Sequence, residues 1–558
     1  MSRPVPGVVR GGGPLAGLEL HVAPLAGSRI VDDYQVGHPA LAPFFAGHPY
    51  DIGAYRRKAD EVEQRLDAAS RARVADALKP TTPRAADRLH QVLDGNGFFV
   101  TTGQQAGLFG GPLYTVYKAL SAVRLAAALE SALGRIVVPV FWIAADDHDF
   151  DEVSHVVAID TQDGLHRIQV SRPADAVALP MAEQPLGDDV VAALDAFAAT
   201  LPPGPFADEA LARLRAHYRP GRMVADAFEA TMAELLAPFD VVIISSAHPA
   251  LKRAAAPVLR REFDAQAEHA KLLAHTSAAL ERAGYGVQVP IAADVSNVFH
   301  TDQDGRDRLV REDGGWHYRR SLRRIDNDTL LAALERQPDT FSPNVLLRPV
   351  VESALLPTLA YVAGPGELAY FAQIGCLFRA HGIEPPLVFP RHSVTLVGPT
   401  VRRLLDRQGL ELASFRQDAQ VLSRQALKDD LPPGAAEALQ ELRSGIDAGF
   451  SRLGEASLPI DVTLTGPMDA ARRAALASID RIEKKILARL RDREHTSARQ
   501  VERIAAHLRP FGAAQERQLN IFSFLARYGA TLPIAVAEAM PVALDTPAPD
   551  WSGVAGCG

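Results

Sequence analysis

The stretch that most constrains the fold runs from residue 98 to residue 143. Phe98-Phe99-Val100-Thr101-Thr102 is short, aromatic and β-branched, follows the turn Asp94-Gly95-Asn96-Gly97, and predicts a buried strand. A glycine-rich loop (103–112), an Ala- and Leu-rich helical pattern (113–133) and a second continuous apolar strand (135–143) follow. Strand, loop, helix and strand in about 45 residues make a βαβ unit. Continuously apolar strands imply a parallel sheet covered on both faces. A third strand is expected at 241–244, between helical patterns at 205–237 and 249–283. A fourth is expected at 386–389, after a helix starting near Glu367. The mixed, Pro-rich 160–200 and the charged 300–340, with turns at 302–307 and Gly314-Gly315, read as insertions, the second a small β element. The expected fold class is α/β: a doubly wound, Rossmann-like core over 85–400 with insertions near 160–235 and 300–340, preceded by a helical segment, 1–84.

The character changes near residue 400. From 401 to 510 aromatics are few, and Ile479, Ile482, Ile486, Leu490, Val501, Ile504 and Leu508 recur mostly at three- and four-residue steps. That pattern predicts a helical hairpin or coiled coil, its seam broken near Arg493 and Ser497. Residues 458–467, with Pro459, are placed to carry the reversal, and the apolar stripe is expected to form a homodimer. A C-terminal segment, 511–558, ends in a Pro/Gly-rich tail expected to be loose from 545.

Composition narrows the function classes. At about 150 residues per domain, 558 residues make three or four domain-sized units. Hydrophobic residues at 47% exclude a wholly disordered chain. The net charge, 59 − 67 = −8, argues against nucleic acid as partner, so phosphate binding would need a local site. Two cysteines, Cys376 and Cys557, supply neither a disulfide framework nor a Cys-rich zinc site. No membrane span or signal peptide is read, and the cytoplasm is the expected compartment.

Six segments carry residue types suited to chemistry. Thr102, Gly103, Gln104, Gln105, Gly107, Gly111, Tyr114 and Lys118 surround a strand–helix loop of the kind that holds a nucleotide phosphate, although the loop matches neither common nucleotide-binding fingerprint. Lys118 is one of eight lysines in the chain. The segment 145–155 gathers Asp146, Asp147, His148, Asp149, Asp151, Glu152 and His155 directly after a buried strand. Such a concentration self-repels unless a cation, an amine or a helix start offsets it. It could hold Mg²⁺ through oxygens, Zn²⁺ through His and Asp, or a substrate amine, and the residues leave these alternatives open. Asn344 and Arg348 lie in an apolar stretch where a buried Arg needs a partner. Gly364-Pro365-Gly366-Glu367 opens a helix. Arg391, His392 and Ser393 follow the fourth strand and could hold a phosphate. Ser246 and His248 follow the third, and Cys376 sits in a helical apolar setting that gives it no nucleophilic role.

The blocks TTGQQAGLFGGPLYTVYKA, PVFWIAADDHDFDEVSH, FSPNVLLRPVVESALLPTLAYVAGPGELAYFAQ and VFPRHSVTLV, in this order, resemble the signature blocks of the BshC family, the cysteine ligases of bacillithiol biosynthesis. The resemblance covers residues 30–535. It implies a core similar to the Rossmann-type nucleotidyl-transferase domain of class I aminoacyl-tRNA synthetases, with connecting insertions and a C-terminal coiled coil that dimerises. It also implies that L-cysteine is joined to glucosaminyl malate by an amide bond, with ATP the usual source of carboxylate activation. On that reading Lys118, Arg391 and Ser393 serve the nucleotide in place of the family fold's His-rich signature, since residues 112–115 hold no His. Asp146, Asn344, Arg348, Gly364, Gly366 and Glu367 bind substrate, and Asp147, His148 and Asp149 are catalytic, with His148 the general base. A scaffold that binds nucleotide without catalysis, and an adenylyltransferase for another small acid, are the competing readings.

Overall fold

A computed structural model describes residues 7–172, 179–416, 434–458, 461, 464–493, 495–544 and 551. The chain divides into two compact units, Met1–Leu396 with Glu516–Gly558, and Val397–Gln515.

The larger unit is built on a six-stranded sheet. In chain order it begins with β1 (Leu78–Pro80), β2 (Gly97–Gln104), helix α1 (Leu113–Leu133), β3 (Ile136–Ile143) and β4 (Val242–Ser245). Helices α2 (Pro249–Asp264) and α3 (Gln266–Arg282) follow. A second, antiparallel sheet comes next: β5 (Val295–Asp302), β6 (Gly305–Glu312), β7 (Gly315–Tyr318), β8 (Arg324–Asp326) and β9 (Phe341–Pro343). It corresponds to the β element expected at 300–340, beginning a few residues earlier. The chain then returns to the first sheet with β10 (Thr358–Ala363), α4 (Pro365–Ala380) and β11 (Leu387–Pro390).

The spatial order is β11-β10-β2-β3-β4-β1. The strands β11, β10, β2, β3 and β4 run parallel, and β1 is an antiparallel edge. Four parallel strands were expected; β10 is the fifth. From β2 the chain steps outward through β3 and β4, then crosses back to place β10 on the other side of β2. The order reverses between β2 and β10, and an open α/β sheet leaves its ligand crevice at the carboxyl ends of such a pair.

Both faces of the sheet are covered, as its continuously apolar strands require. Phe99, Val138, Trp142 and Val242 pack with Leu251 and Leu259 of α2 and Leu368 and Phe371 of α4. On the opposite face Phe98, Val100, Val137 and Val362 pack with Ala122, Leu125 and Leu129 of α1. Each such large apolar side chain contributes about 1.5–3 kcal/mol by leaving water. Helix α1 stops where Gly134 turns left-handed (φ 64°) and its N–H bonds back to Glu130. Such a C-terminal stop needs glycine or Asn.

The smaller unit contains α5 (Pro399–Gln408), α6 (Ala435–Ser457), α7 (Thr465–Arg493) and α8 (His495–Leu508). Helices α6 and α7 form an antiparallel hairpin: Arg443 pairs with Asp480 (2.6 Å) and Glu483 (2.5 Å), and Arg472 with Asp447 (2.8 Å). The buried seam of α7 runs through Ile479, Glu483 and Leu487, while Ile482 and Ile486, expected on the seam, are exposed. Val501, Ile504 and Leu508 of α8 pack on Val401, Leu404 and Leu405 of α5. Pro459 and Cys557, the side chains of Leu490, Arg493 and Ser497, and the tail from 545 except Trp551 lie outside the described residues. Among the described residues no helix is long and apolar enough to cross a membrane.

Candidate active site

One cavity of about 940 Å³ lies in the larger unit, over the carboxyl ends of the parallel strands. Gly103 and Gln104 end β2, Ala144 follows β3, Ser246 follows β4, Gly364 follows β10 and Arg391 follows β11, and all line it. The antiparallel sheet supplies the facing wall through Phe299, Arg306, Arg308, Phe341 and Pro343.

The acidic segment is offset by specific partners. Asp146 Oδ1 is paired with Lys252 Nζ at 2.5 Å, and Lys252 also donates to Phe341 O (2.8 Å). Asp147 accepts from Gln105 Nε2 (2.6 Å) and from the backbone N–H groups of His148 (2.7 Å) and Asp149 (3.1 Å). Burial acts to raise the Asp147 carboxyl, but these hydrogen bonds and the nearby Arg306 charge outweigh it and hold the group below its ordinary range. Gln105 reaches Glu152 as well (3.1 Å), so one amide bridges two carboxylates at the cavity. Asp149, Asp151 and Glu152 are exposed along the same wall.

His148 joins this wall to the basic one. Its Nδ1 accepts from Arg306 Nη1 at 3.1 Å. A guanidinium only donates, so the ring is neutral with its proton on Nε2. Burial and then the Arg306 charge keep His148 below its ordinary value. Arg306 is itself buried, lies 3.7 Å over the Phe299 ring, and donates to Ser342 Oγ (3.0 Å). Among the described residues, Arg172, Arg306, Arg308 and Arg517 all line the cavity with no carboxylate in ion-pair range.

The remaining cations are already committed. Lys118 is buried, pairs with Glu367 Oε2 (2.7 Å) and donates to the Gly103 carbonyl. Burial lowers Lys118, and Glu367 opposes it. Glu367 would be raised by burial, yet Lys118 and the Gly364 N–H hold it low. Arg348 pairs with Glu352 (2.6 Å), and Arg391 makes a two-pronged pair with Glu516 (2.7 and 2.9 Å).

Comparison with known proteins decides the family. Residues 18–392 match the family model for the bacillithiol biosynthesis BshC N-terminal Rossmann-like domain, and residues 394–540 match the model for the BshC C-terminal coiled-coil domain. The chain belongs to the BshC family. Its relatives in Salinibacter ruber (32% identical over 524 residues, 90% of this chain and 92% of the relative) and Heliobacterium modesticaldum (33% over 486 residues, 85% and 87%) both bear the name "Putative cysteine ligase BshC". So does that of Bacillus licheniformis, at 28% over 508 residues, covering 90% and 93%.

The residues singled out in this BshC sequence divide on the structure. Gly103, Gln104, Gln105, Tyr114 and Lys118 line the cavity, as do Asp146, Asp147, His148 and Asp149. Asn344, Arg348, Gly364, Gly366, Glu367 and Arg391 line it too. Thr102, Gly107, Gly111 and Ser393 do not. Thr102 Oγ1 donates to Val362 O (2.8 Å) inside the sheet, and Ser393 Oγ donates to Glu516 (2.9 Å). Gly107 and Gly111 are buried in a loop that closes on its own chain. Gly110 N–H donates to Tyr218 Oη (3.0 Å), Asn520 Nδ2 donates to Phe109 O and Gly111 O (both 2.8 Å), and Leu113 N–H at the start of α1 donates to Leu519 O (2.8 Å). The expected phosphate cradle at this helix start is therefore occupied by protein. By contrast Gly366, at the start of α4, is exposed in the cavity wall, and among the described residues its N–H meets no protein acceptor.

Sequence reasoning missed Lys252, Arg306 and Arg308. The signal was present in the last two: they alternate along β6, so a strand places both on one face.

Proposed function

We propose that this chain joins the carboxylate of L-cysteine to the amine of glucosaminyl malate by an amide bond, with ATP, in the last step of bacillithiol biosynthesis. The observation that carries the reading is the division of the cavity. One wall is carboxylate-rich and suits an ammonium or amine. The other holds arginines that have no carboxylate partner among the described residues, and suits anions. Glucosaminyl malate offers an amine and two carboxylates, and cysteine offers an ammonium and a carboxylate.

ATP supplies the leaving group that makes the cysteine carboxylate an acylating agent. The residues fit such a group: Arg306, Arg308, Arg172 and Arg517 can pair with phosphate oxygens, and the start of α4 at Gly366 offers a backbone donor and a favourable helix dipole. Asp149 and Asp151 are the carboxylates that would hold an accompanying Mg²⁺. Asp147, held ionised, and Glu152 anchor an amine. Proton removal from the attacking amine falls to His148 under one condition. In the free protein its Nδ1 lone pair is taken by Arg306. An anionic substrate that draws the guanidinium away lets the ring carry its proton on Nδ1 and offer a lone pair at Nε2. Holding both substrates in one cavity supplies a further part of the rate.

The direct test incubates the pure protein with ATP, cysteine and glucosaminyl malate and follows products by mass spectrometry. Bacillithiol with AMP and pyrophosphate supports an adenylate; bacillithiol with ADP supports an acyl phosphate. Nucleotide bound without product would favour the scaffold reading. We also propose a homodimer through the smaller unit, since Leu442, Leu453, Ile482 and Ile486 are exposed on the hairpin. Leu453→Asp combined with Ile486→Asp is expected to convert a dimer to a monomer in sedimentation equilibrium.

A further inference from the structure

Outside the cavity lining, three metal-ligating side chains converge in the core of the larger unit. Glu262 lies near the end of α2, His269 near the start of α3, and His381 directly after α4. The Glu262 side chain is fully buried, and those of His269 and His381 are 2% exposed. One donor atom from each lies within 4.8 Å of the other two. Glu262 Oε2 is 2.5 Å from His269 Nδ1 and 3.8 Å from His381 Nε2, and the two rings lie 4.9 Å apart.

A buried Glu–His hydrogen bond accounts for Glu262 and His269. It does not account for His381, whose Nε2 is buried, lies 3.8 Å from the carboxylate and, among the described residues, has no hydrogen-bond partner. A separation of 3.8 Å is too long for a hydrogen bond. We propose that Glu262, His269 and His381 form a site for a divalent transition ion of the zinc class. One carboxylate oxygen and two imidazole nitrogens are donors that zinc accepts. A tetrahedral ion with bonds of about 2.1 Å needs its ligand atoms about 3.4 Å apart. The separations of 2.5 and 3.8 Å lie on either side of that value, so small opposed rotations reach it.

The surroundings suit such an ion. Glu262 Oε1 accepts from Asn297 Nδ2 (2.7 Å), which orients the carboxylate as outer partners of metal ligands do. Asn297 Oδ1 accepts in turn from Asn344 Nδ2 (2.8 Å), and Asn344 lines the cavity. The ion would brace three helices and, through this amide pair, the cavity wall. Its ligands do not line the cavity, so the assigned role is structural.

The test uses the full-length protein, stripped with a chelator, reloaded with zinc alone and dialysed, with metal measured by mass spectrometry. About one zinc per chain is expected in the wild type and in His148→Gln, which removes the His that lines the cavity. His381→Gln is expected to lose it, with affinity reduced at least about 100-fold. Cobalt in the unmodified protein should give the intense visible absorption of a tetrahedral nitrogen–oxygen site, a reading that needs no variant to fold. No retained zinc, zinc retained by folded His381→Gln but lost by His148→Gln, or a weak octahedral cobalt spectrum would each overturn the proposal.

Discussion

Two glycine-rich turns leave neighbouring strands of the same sheet, and they do opposite things. The turn after β2 runs through Gly107, Gly110 and Gly111 and is buried against Tyr218 and Asn520. The turn after β10 runs through Gly364 and Gly366 and opens onto the cavity. Glycine lets backbone approach something closely, and the sequence does not say whether that is a ligand or another part of the chain. The difference lies in residues 519–520, more than four hundred positions away, which occupy the first turn's polar groups.

The contrast can be broken most strongly at Asn520. This fully buried amide serves two loop carbonyls and caps the Phe522 N–H. Asn520→Ala is expected to cost about 3 kcal/mol of unfolding free energy in denaturant titrations, by stranding buried acceptors. Next come the glycines themselves. At Gly111, φ is 73° and a Cβ would lie 3.1 Å from Thr115 Oγ1, so Gly111→Ala should cost about 1–2 kcal/mol. At Gly366 a Cβ would meet only the Gln288 side chain at 3.7 Å. Gly366→Ala should leave stability within about 0.5 kcal/mol, since an exposed helix start bears little packing, and on the proposed function it should weaken ATP binding about tenfold by calorimetry.

Fold and site were unequally legible. The strands at 98–102, 135–143 and 241–244 could be read because each is a short apolar run bounded by turns. The strand at Thr358–Ala363 was not, because Leu355, Leu356 and Pro357 merge it with the preceding helix in one apolar stretch that periodicity cannot divide. The acidic segment could be read as a site from its charge density alone. Its counter-charges could not: Lys252 reaches Asp146 across 106 positions and Arg306 reaches His148 across 158. Nothing local to the sequence records such pairings. Lys118 and Arg391, the most conspicuous cations in the sequence, are held by Glu367 and Glu516.

Two smaller effects follow from the histidines. Burial and then the Arg306 charge hold His148 below its ordinary value of 6.5. If it accepts the amine proton, the acid limb of the kcat/KM profile, which reports the free protein, should lie below pH 6.5. Arg306→Gln should move that limb upward, because removing a neighbouring positive charge makes protonation easier. The other effect concerns stability. Burial lowers His48, His300 and His392 to about 4, against an ordinary 6.5. The unfolded chain then binds more protons than the folded one between those values. Stability is therefore retained above pH 6.5 and lost as the pH falls from 6.5 toward 4. A falling transition temperature over that interval in scanning calorimetry is expected; a flat one would mean these rings are not buried neutral.

The most direct test of the cavity as the site of action is hydrogen–deuterium exchange with and without ATP and glucosaminyl malate, resolved by peptide. Slowed exchange is expected around Gly364–Gly366 and across β6, which carries Arg306 and Arg308, with residues 106–112 unchanged because they are buried through Gly111 and do not line the cavity. Protection appearing at 106–112, with the α4 start and β6 unaffected, would contradict the assignment.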